Sequence, residues 1–201
     1  MLPQECEITI WGQGNRFLAL NELIKSDQRR STAWSLIIVF LITAVTFVSI
    51  KYGLFAVIPI ITGIMANYIF MMAFGIPFDM VTISFSSVTV GVGIDDAIHF
   101  ILRFRKVYRF YPDNVKQAMH ETIELTGRPI TLTTVSIISG LMVLALGSFI
   151  PIRYFGILVS IALFNTLMAT LFILPSCMLL WFYLGERYRS RRELKAELSK
   201  Q

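Results

Sequence analysis

The chain has 201 residues, 55% hydrophobic and 15% charged, with mean hydropathy +0.67 and net charge +5. A soluble domain carries about 25% charged residues, so too few ions remain here to coat a water-facing surface. This excludes a soluble enzyme, a disordered chain and a disulfide scaffold, and it points to an integral membrane protein. The pI near 9.4 is not a nucleic-acid signature, because the basic residues lie in short gaps between apolar runs and in the last residues of the chain. Cys6 and Cys177 are too few and too far apart in character to suggest a disulfide framework.

Residues 1–30 read as the end of an extracytoplasmic domain followed by a lead-in helix. Ile8-Thr9-Ile10-Trp11 has the pattern of a short strand, Gly12 to Gly14 that of a turn, and Phe17, Leu20, Leu23 and Ile24 form a helical stripe. A lone strand cannot satisfy its own edges, so this piece either pairs with an extramembrane domain or is disordered, and the first is expected. Glu5 and Glu7 stand where a signal peptide needs apolar residues, so none is expected.

A spanning helix needs roughly 20 mostly apolar residues, and five segments over 31–185 qualify: about 31–50, 52–78, 80–105, 129–152 and 154–185. The fold class is therefore an all-α integral membrane protein with five transmembrane helices. Lys51-Tyr52-Gly53 is expected to turn between the first two, and Arg153 beside Pro151 between the last two. Residues 106–128 read as an amphipathic linker on the cytoplasmic membrane surface, with Val115, Met119, Ile123 and Leu125 as its apolar positions. Residues 186–201 form a basic cytoplasmic tail. Of the 18 basic residues, 13 lie on the side of Lys51, the linker and the tail, and five (Arg16, Lys25, Arg29, Arg30, Arg153) on the other. The positive-inside rule then places the N-terminus extracytoplasmic and the C-terminus cytoplasmic in a multi-pass cell-membrane protein.

The chemistry concentrates in the third span, in Thr89-Val90-Gly91-Val92-Gly93-Ile94-Asp95-Asp96-Ala97-Ile98-His99. A carboxylate at the centre of a membrane helix costs roughly 2.5–3.5 kcal/mol even on the lenient insertion scale. Two adjacent acids in low dielectric resist ionising together, so the pair Asp95 and Asp96 is suited to taking up and releasing a proton. At 100° per residue Thr89, Gly93 and Ala97 make a small-residue ridge for close helix packing, with Gly91 on the flank shared by Asp95 and His99. The acids are thereby expected to face a packed helix rather than lipid. His99, three and four residues beyond them, can reach either. A second reading treats the acids as structural glue, or as interfacial groups neutralised by Arg103 and Arg105.

The fourth span supplies polar partners in Thr131, Thr133, Thr134, Ser136 and Ser139, of which Thr133 and Thr134 are candidate relay supports. Most hydroxyls in membrane helices bond their own backbone. Gly140 is expected to be a packing position, Asn165 an interhelical hydrogen-bonding residue and Pro175 a tolerated kink. No metal site, cofactor or catalytic residue is expected, and the species that the acid pair would bind and release is the proton.

GVGIDDAIHFILRFRK, then GRPITLTTVSIISGLMVLALGSFIPIRYFG, then LFILPSCML resemble the last five helices of one repeat in the resistance–nodulation–division (RND) superfamily, nearest its MMPL-type exporters. NRFLALNELIKSDQRRS is similar to the junction between that family's extracytoplasmic domain and the second helix of a repeat. The resemblance implies helices 2–6 of a repeat, a missing first repeat or homologous half with extracytoplasmic domains, and proton-driven antiport as the power for efflux of hydrophobic or lipidic compounds. It places the titrating carboxylates at Asp95 and Asp96, although many MMPL members have Asp-Tyr here. The chain resembles the end of a second repeat, from a split gene or a truncated one. A protein-translocation accessory of the superfamily usually has Asn before Asp, unlike Asp95. An intramembrane aspartyl protease needs Gly-x-Gly-Asp and a second intramembrane acid on another helix; here the acid comes one residue too late and no other span contains one. A non-transporting, lipid-sensing member is a further alternative.

Overall fold

The computed structural model describes residues 13–76, 84–112 and 114–184. The expected strand at 8–11 and the tail at 186–201 lie outside them, and no side chain of residues 13–26 is described. Among the described residues there are five long helices: α1 (Gln13–Phe47), α2 (Ile50–Ala73), α3 (Phe85–Tyr108), α4 (Val115–Met142) and α5 (Ile150–Leu184). Each contains a stretch long and apolar enough to cross a membrane, and no strand occurs among the described residues. The chain is a multi-pass membrane protein.

Helix ends fall where backbone hydrogen bonding permits, and several depart from the sequence reading. α1 ends in a Schellman turn, with Ser49 N–H bonding Ala44 O and Val48 N–H bonding Val45 O. Val48, at φ +50°, occupies the left-handed position usually held by glycine. The break therefore lies at 48–49, not at Lys51-Tyr52-Gly53, which belongs to the first turn of α2. Gly53 serves another purpose: a Cβ there would stand 3.0 Å from the Ala44 Cβ, so the glycine lets α1 and α2 approach closely. α2 closes with the same motif built on Gly75 at φ +62°, where Ile76 N–H reaches Met71 O.

The expected surface linker is also corrected. Residues 106–108 complete α3, and Asn114 starts α4 by accepting a hydrogen bond from Gln117 N–H at 3.1 Å. From there α4 runs unbroken through Pro129, so the linker's second half is the start of the fourth spanning helix. Its inner face is Ala118, Met119, Thr122, Thr126, Ile130 and Thr134; of the expected apolar positions Met119 is buried and Val115 packs against the core, whereas Ile123 and Leu125 are exposed. Small and hydroxylated side chains between Met119 and Ile130 allow the close approach.

α4 passes into a 3-10 turn at Val143–Leu146, and the break before α5 lies at 147–149. Pro151 and Arg153 are in the first turn of α5, where a proline's missing N–H costs nothing. Gly156 admits this turn, since a Cβ would meet Leu141 O at 2.8 Å. Within α5, Ala169–Ile173 form a π turn just ahead of Pro175, the position expected to kink.

α2, α3 and α5 form the centre of the bundle. Only 11% of the most apolar stretch of α1 or α4 is buried, against about half for the other three. Phe47, Phe55, Phe100 and Phe104 close one end of the core, and Met71, Phe85, Leu158 and Val159 the other. Where the three central helices meet, Gly63 of α2 and Gly93 of α3 both lie against Thr166 of α5.

Candidate functional site

The α3 backbone sorts the candidate residues by angle. Gly93 and Ala97 point into the bundle and are buried, and a Cβ on Gly93 would come within 2.8 Å of Thr166 Cγ2. Gly91, Asp95 and His99 share the next flank and are exposed. Asp96 lies between these faces, half-buried against α4. The expectation that both acids face a packed helix thus holds for Asp96 and is corrected for Asp95, which points out of the bundle. Gly91 and Gly140 are corrected as well, because a Cβ at either would meet nothing within 4 Å. They border the open face instead of a contact inside this chain.

Asp96 is held from α4, where Thr134 Oγ1 donates to Asp96 Oδ2 at 3.1 Å. The neighbouring hydroxyls behave differently. Thr131 bonds Gly127 O, Thr133 bonds Ile130 O and Pro129 O, and Ser136 and Ser139 bond Leu132 O and Val135 O. Thr134 alone among these five crosses to the acid.

Two adjoining clefts of about 270 and 220 Å³ lie along the α3–α4 seam, and Asp96, His99 and Thr133 line both. The first extends past Arg103 to Leu125 and Thr126, the second past Asp95 to Ile137 and Leu163. Neither carboxylate forms an ion pair among the described residues, where the ion pair present is His120 with Glu124 at 3.9 Å. Arg105, a candidate neutraliser, donates instead to Phe47 O at 2.9 Å and lies over the Phe47 and Tyr52 rings. Among the described residues no group of three His, Cys, Asp or Glu could hold a metal ion.

Two polar residues escaped the sequence reading. Thr126 lines the larger cleft with its hydroxyl buried and unpaired within the protein, at a position sequence placed on a surface linker. Asn67 of α2 donates to Leu158 O at 2.9 Å, supplying the interhelical amide bond expected at Asn165. A lone amide inside an otherwise apolar span was the signal available for it.

The comparison with known families decides what kind of bundle carries this seam. The model of the MMPL family matches residues 2–199. The chain belongs to the MMPL family. A membrane protein of Methanocaldococcus jannaschii is 23% identical over 174 residues, 87% of this chain and 45% of the relative. The hopanoid transporter HpnN of Burkholderia multivorans is 24% identical over 157 residues, 76% of this chain and 17% of the relative. This MMPL chain spans less than half the length of these relatives.

Proposed function

We propose that this chain is the membrane part of a proton-motive-force-driven exporter of hydrophobic or lipidic compounds, with Asp95 and Asp96 as its proton relay. The carrying observation is the open seam at which half-buried Asp96, tethered to Thr134, adjoins exposed Asp95, with no cation paired to either acid among the described residues. Polar atoms at membrane depth are tolerated where they line a cavity or face protein, and an acid that is neither paired nor sealed can exchange protons along such a cavity. His99 and Thr133 stand in both clefts as groups through which a proton or a water chain can pass.

On α3 the exposed flank of Gly91, Asp95 and His99 is small and polar, and Thr133 and Ile137 of α4 line the cleft beside it. An acid on that flank suits a second repeat docking across it better than acyl chains. In this reading protonation removes charge from the seam and lets α3 settle against the facing repeat, and release on the cytoplasmic side resets it. One charge crossing 100 mV supplies about 2.3 kcal/mol, enough to bias a conformational equilibrium of similar size. The extracytoplasmic domains of the missing half would select the cargo, and the hopanoid transporter relative supports a lipid as its class.

The test pairs this chain with its complementary half in proteoliposomes carrying an imposed proton gradient. Lipid efflux should follow the gradient and be lost in Asp95→Asn/Asp96→Asn with insertion unchanged. Gradient-driven efflux that persists in that variant refutes the relay. Efflux absent from the wild type while the lipid still binds favours the lipid-sensing alternative.

A further inference from the structure

α1 and α3 are parallel helices joined by polar contacts at both ends. Near the start of α3, Gln28 Nε2 donates to Ser86 Oγ at 3.0 Å and lies 3.3 Å from Ser87 Oγ. At the other end Arg105 donates to Phe47 O at 2.9 Å, with its guanidinium over the Phe47 and Tyr52 rings at 5.9 and 5.3 Å. Both hydrogen bonds join residues 58 positions apart. The two pins are therefore separated by the same length of helix on each side, 19 residues from Gln28 to Phe47 and 19 from Ser86 to Arg105. That is about 28 Å at 1.5 Å per residue, close to the thickness of the hydrocarbon core, roughly 30 Å.

Elsewhere α1 packs on its neighbours at Ala44, which lies against Gly53, and through Leu36 and Val39 toward Ile60, Ile64 and Val90. Most of its spanning surface is exposed apolar side chain, including Trp34, Ile38, Leu41, Ile42 and Val45. Lipid tails are as apolar as leucine, so such a face gives α1 no register against α3. Its turn into α2 and the close Ala44–Gly53 approach anchor the end near Phe47. We infer that Gln28 and Arg105 are positioning residues that hold α1 and α3 in one axial register, so that the two helices shift as a single piece. Arg105 uses a carbonyl at the C-terminal end of α1, one of the groups a helix leaves without an internal partner, so it joins the helices without breaking an existing bond. Any movement of α3 that follows protonation of its acids is then delivered by α1 to the residues preceding Gln28. That last step rests on the relay reading; the pinning does not.

The test uses the full 201-residue chain in liposomes, with Cys6 and Cys177 replaced by Ala and spin labels on introduced cysteines. Thr46→Cys with Lys106→Cys reports the Arg105 end, and Arg30→Cys with Gly91→Cys reports the Gln28 end. A third pair, Lys106→Cys with Ser136→Cys, reports α3 against α4. The two α1–α3 pairs should each give one narrow distance that is the same at acidic and alkaline pH. Arg105→Ala should abolish the narrow distance at its own end and Gln28→Ala at the other, while Arg105→Lys restores part of it. A wild-type α1–α3 distance that shifts with pH, or one that stays narrow in Gln28→Ala/Arg105→Ala, overturns the pinning. A static α3–α4 pair counts against the relay reading and leaves the response to Arg105→Ala to decide the pinning.

Discussion

Replacing Gly93 by alanine would set a methyl group 2.8 Å from Thr166 Cγ2, at a point where α2, α3 and α5 converge. Thr166 cannot easily turn aside, because it is buried, β-branched and bonded through Oγ1 to Ala162 O at 2.9 Å. Overpacking of this kind costs about 1–3 kcal/mol, and the helix propensity gained from alanine returns up to about 1 kcal/mol. Gly93→Ala should therefore destabilise the bundle by about 1–2 kcal/mol. The geometry sharpens this into a double-mutant cycle. Thr166→Ser removes Cγ2 and keeps the hydroxyl, so in that background Gly93→Ala should become neutral or slightly stabilising, with an interaction energy of about 1–3 kcal/mol. Gly63→Ala meets Thr166 Oγ1 instead, so Thr166→Ser should leave its cost in place and Thr166→Ala should relieve it. Detergent-micelle unfolding in a denaturing-detergent titration, followed by far-UV circular dichroism, measures all these variants. If serine rescues both glycine substitutions or neither, the assignment of the two contacts to different atoms of one threonine is wrong.

Thr134→Val should lower gradient-driven lipid efflux by roughly tenfold, since a hydrogen bond to a charged group contributes about 1.5–3 kcal/mol; Thr133→Val, whose hydroxyl bonds its own helix, should stay near wild type in the same assay. Val48→Gly should raise the thermal midpoint in detergent, because a left-handed β-branched residue costs about 1–2 kcal/mol and Val48, 91% exposed, loses little packing. Gly91→Leu and Gly140→Leu should each stabilise the isolated chain by up to about 1 kcal/mol, since both meet open space and leucine is the better helix former. In the complete transporter the same two variants should weaken co-purification of the two halves, and unaltered co-purification would show that the partner docks elsewhere.

Much of the bundle is readable from charge and hydropathy because a membrane span must be long and apolar whatever it packs against. The helix count and the acid-bearing third span follow from that rule. The helix ends do not, because they are set by individual backbone bonds. Val48 fills a turn position where glycine is the usual signal, and the nearby Gly53, which looks like a turn, is a packing glycine. Pro151 reads as a break yet sits comfortably at a helix start. On α4 the buried threonines resemble a surface face, since apolar periodicity weighs large side chains and only Met119 and Ile130 supply them there. At the site, helical angles put Asp95 on the flank of Gly91 and His99, yet the expectation that both acids face a packed helix holds within this chain for Asp96 alone. Which of five hydroxyls would cross to Asp96 depends on how α4 is rotated, and that rotation is recorded in the packing of Thr122, Thr126 and Ile130, not in the hydroxyls themselves.

The π turn at Ala169–Ile173 acts on the phase of everything that follows it. One additional residue in a turn rotates the remaining helix by about 100° relative to an uninterrupted α-helix. Beyond it Trp181 meets the Lys51 ammonium at 5.5 Å and Tyr183 meets that of Lys116 at 5.6 Å, while Phe182 points inward between Phe104 and Tyr108. With regular winding that aromatic trio would be turned about a quarter-circle out of step, its inward ring facing lipid. A local irregularity in the middle of α5 thus sets which side chains meet the lysines several turns away.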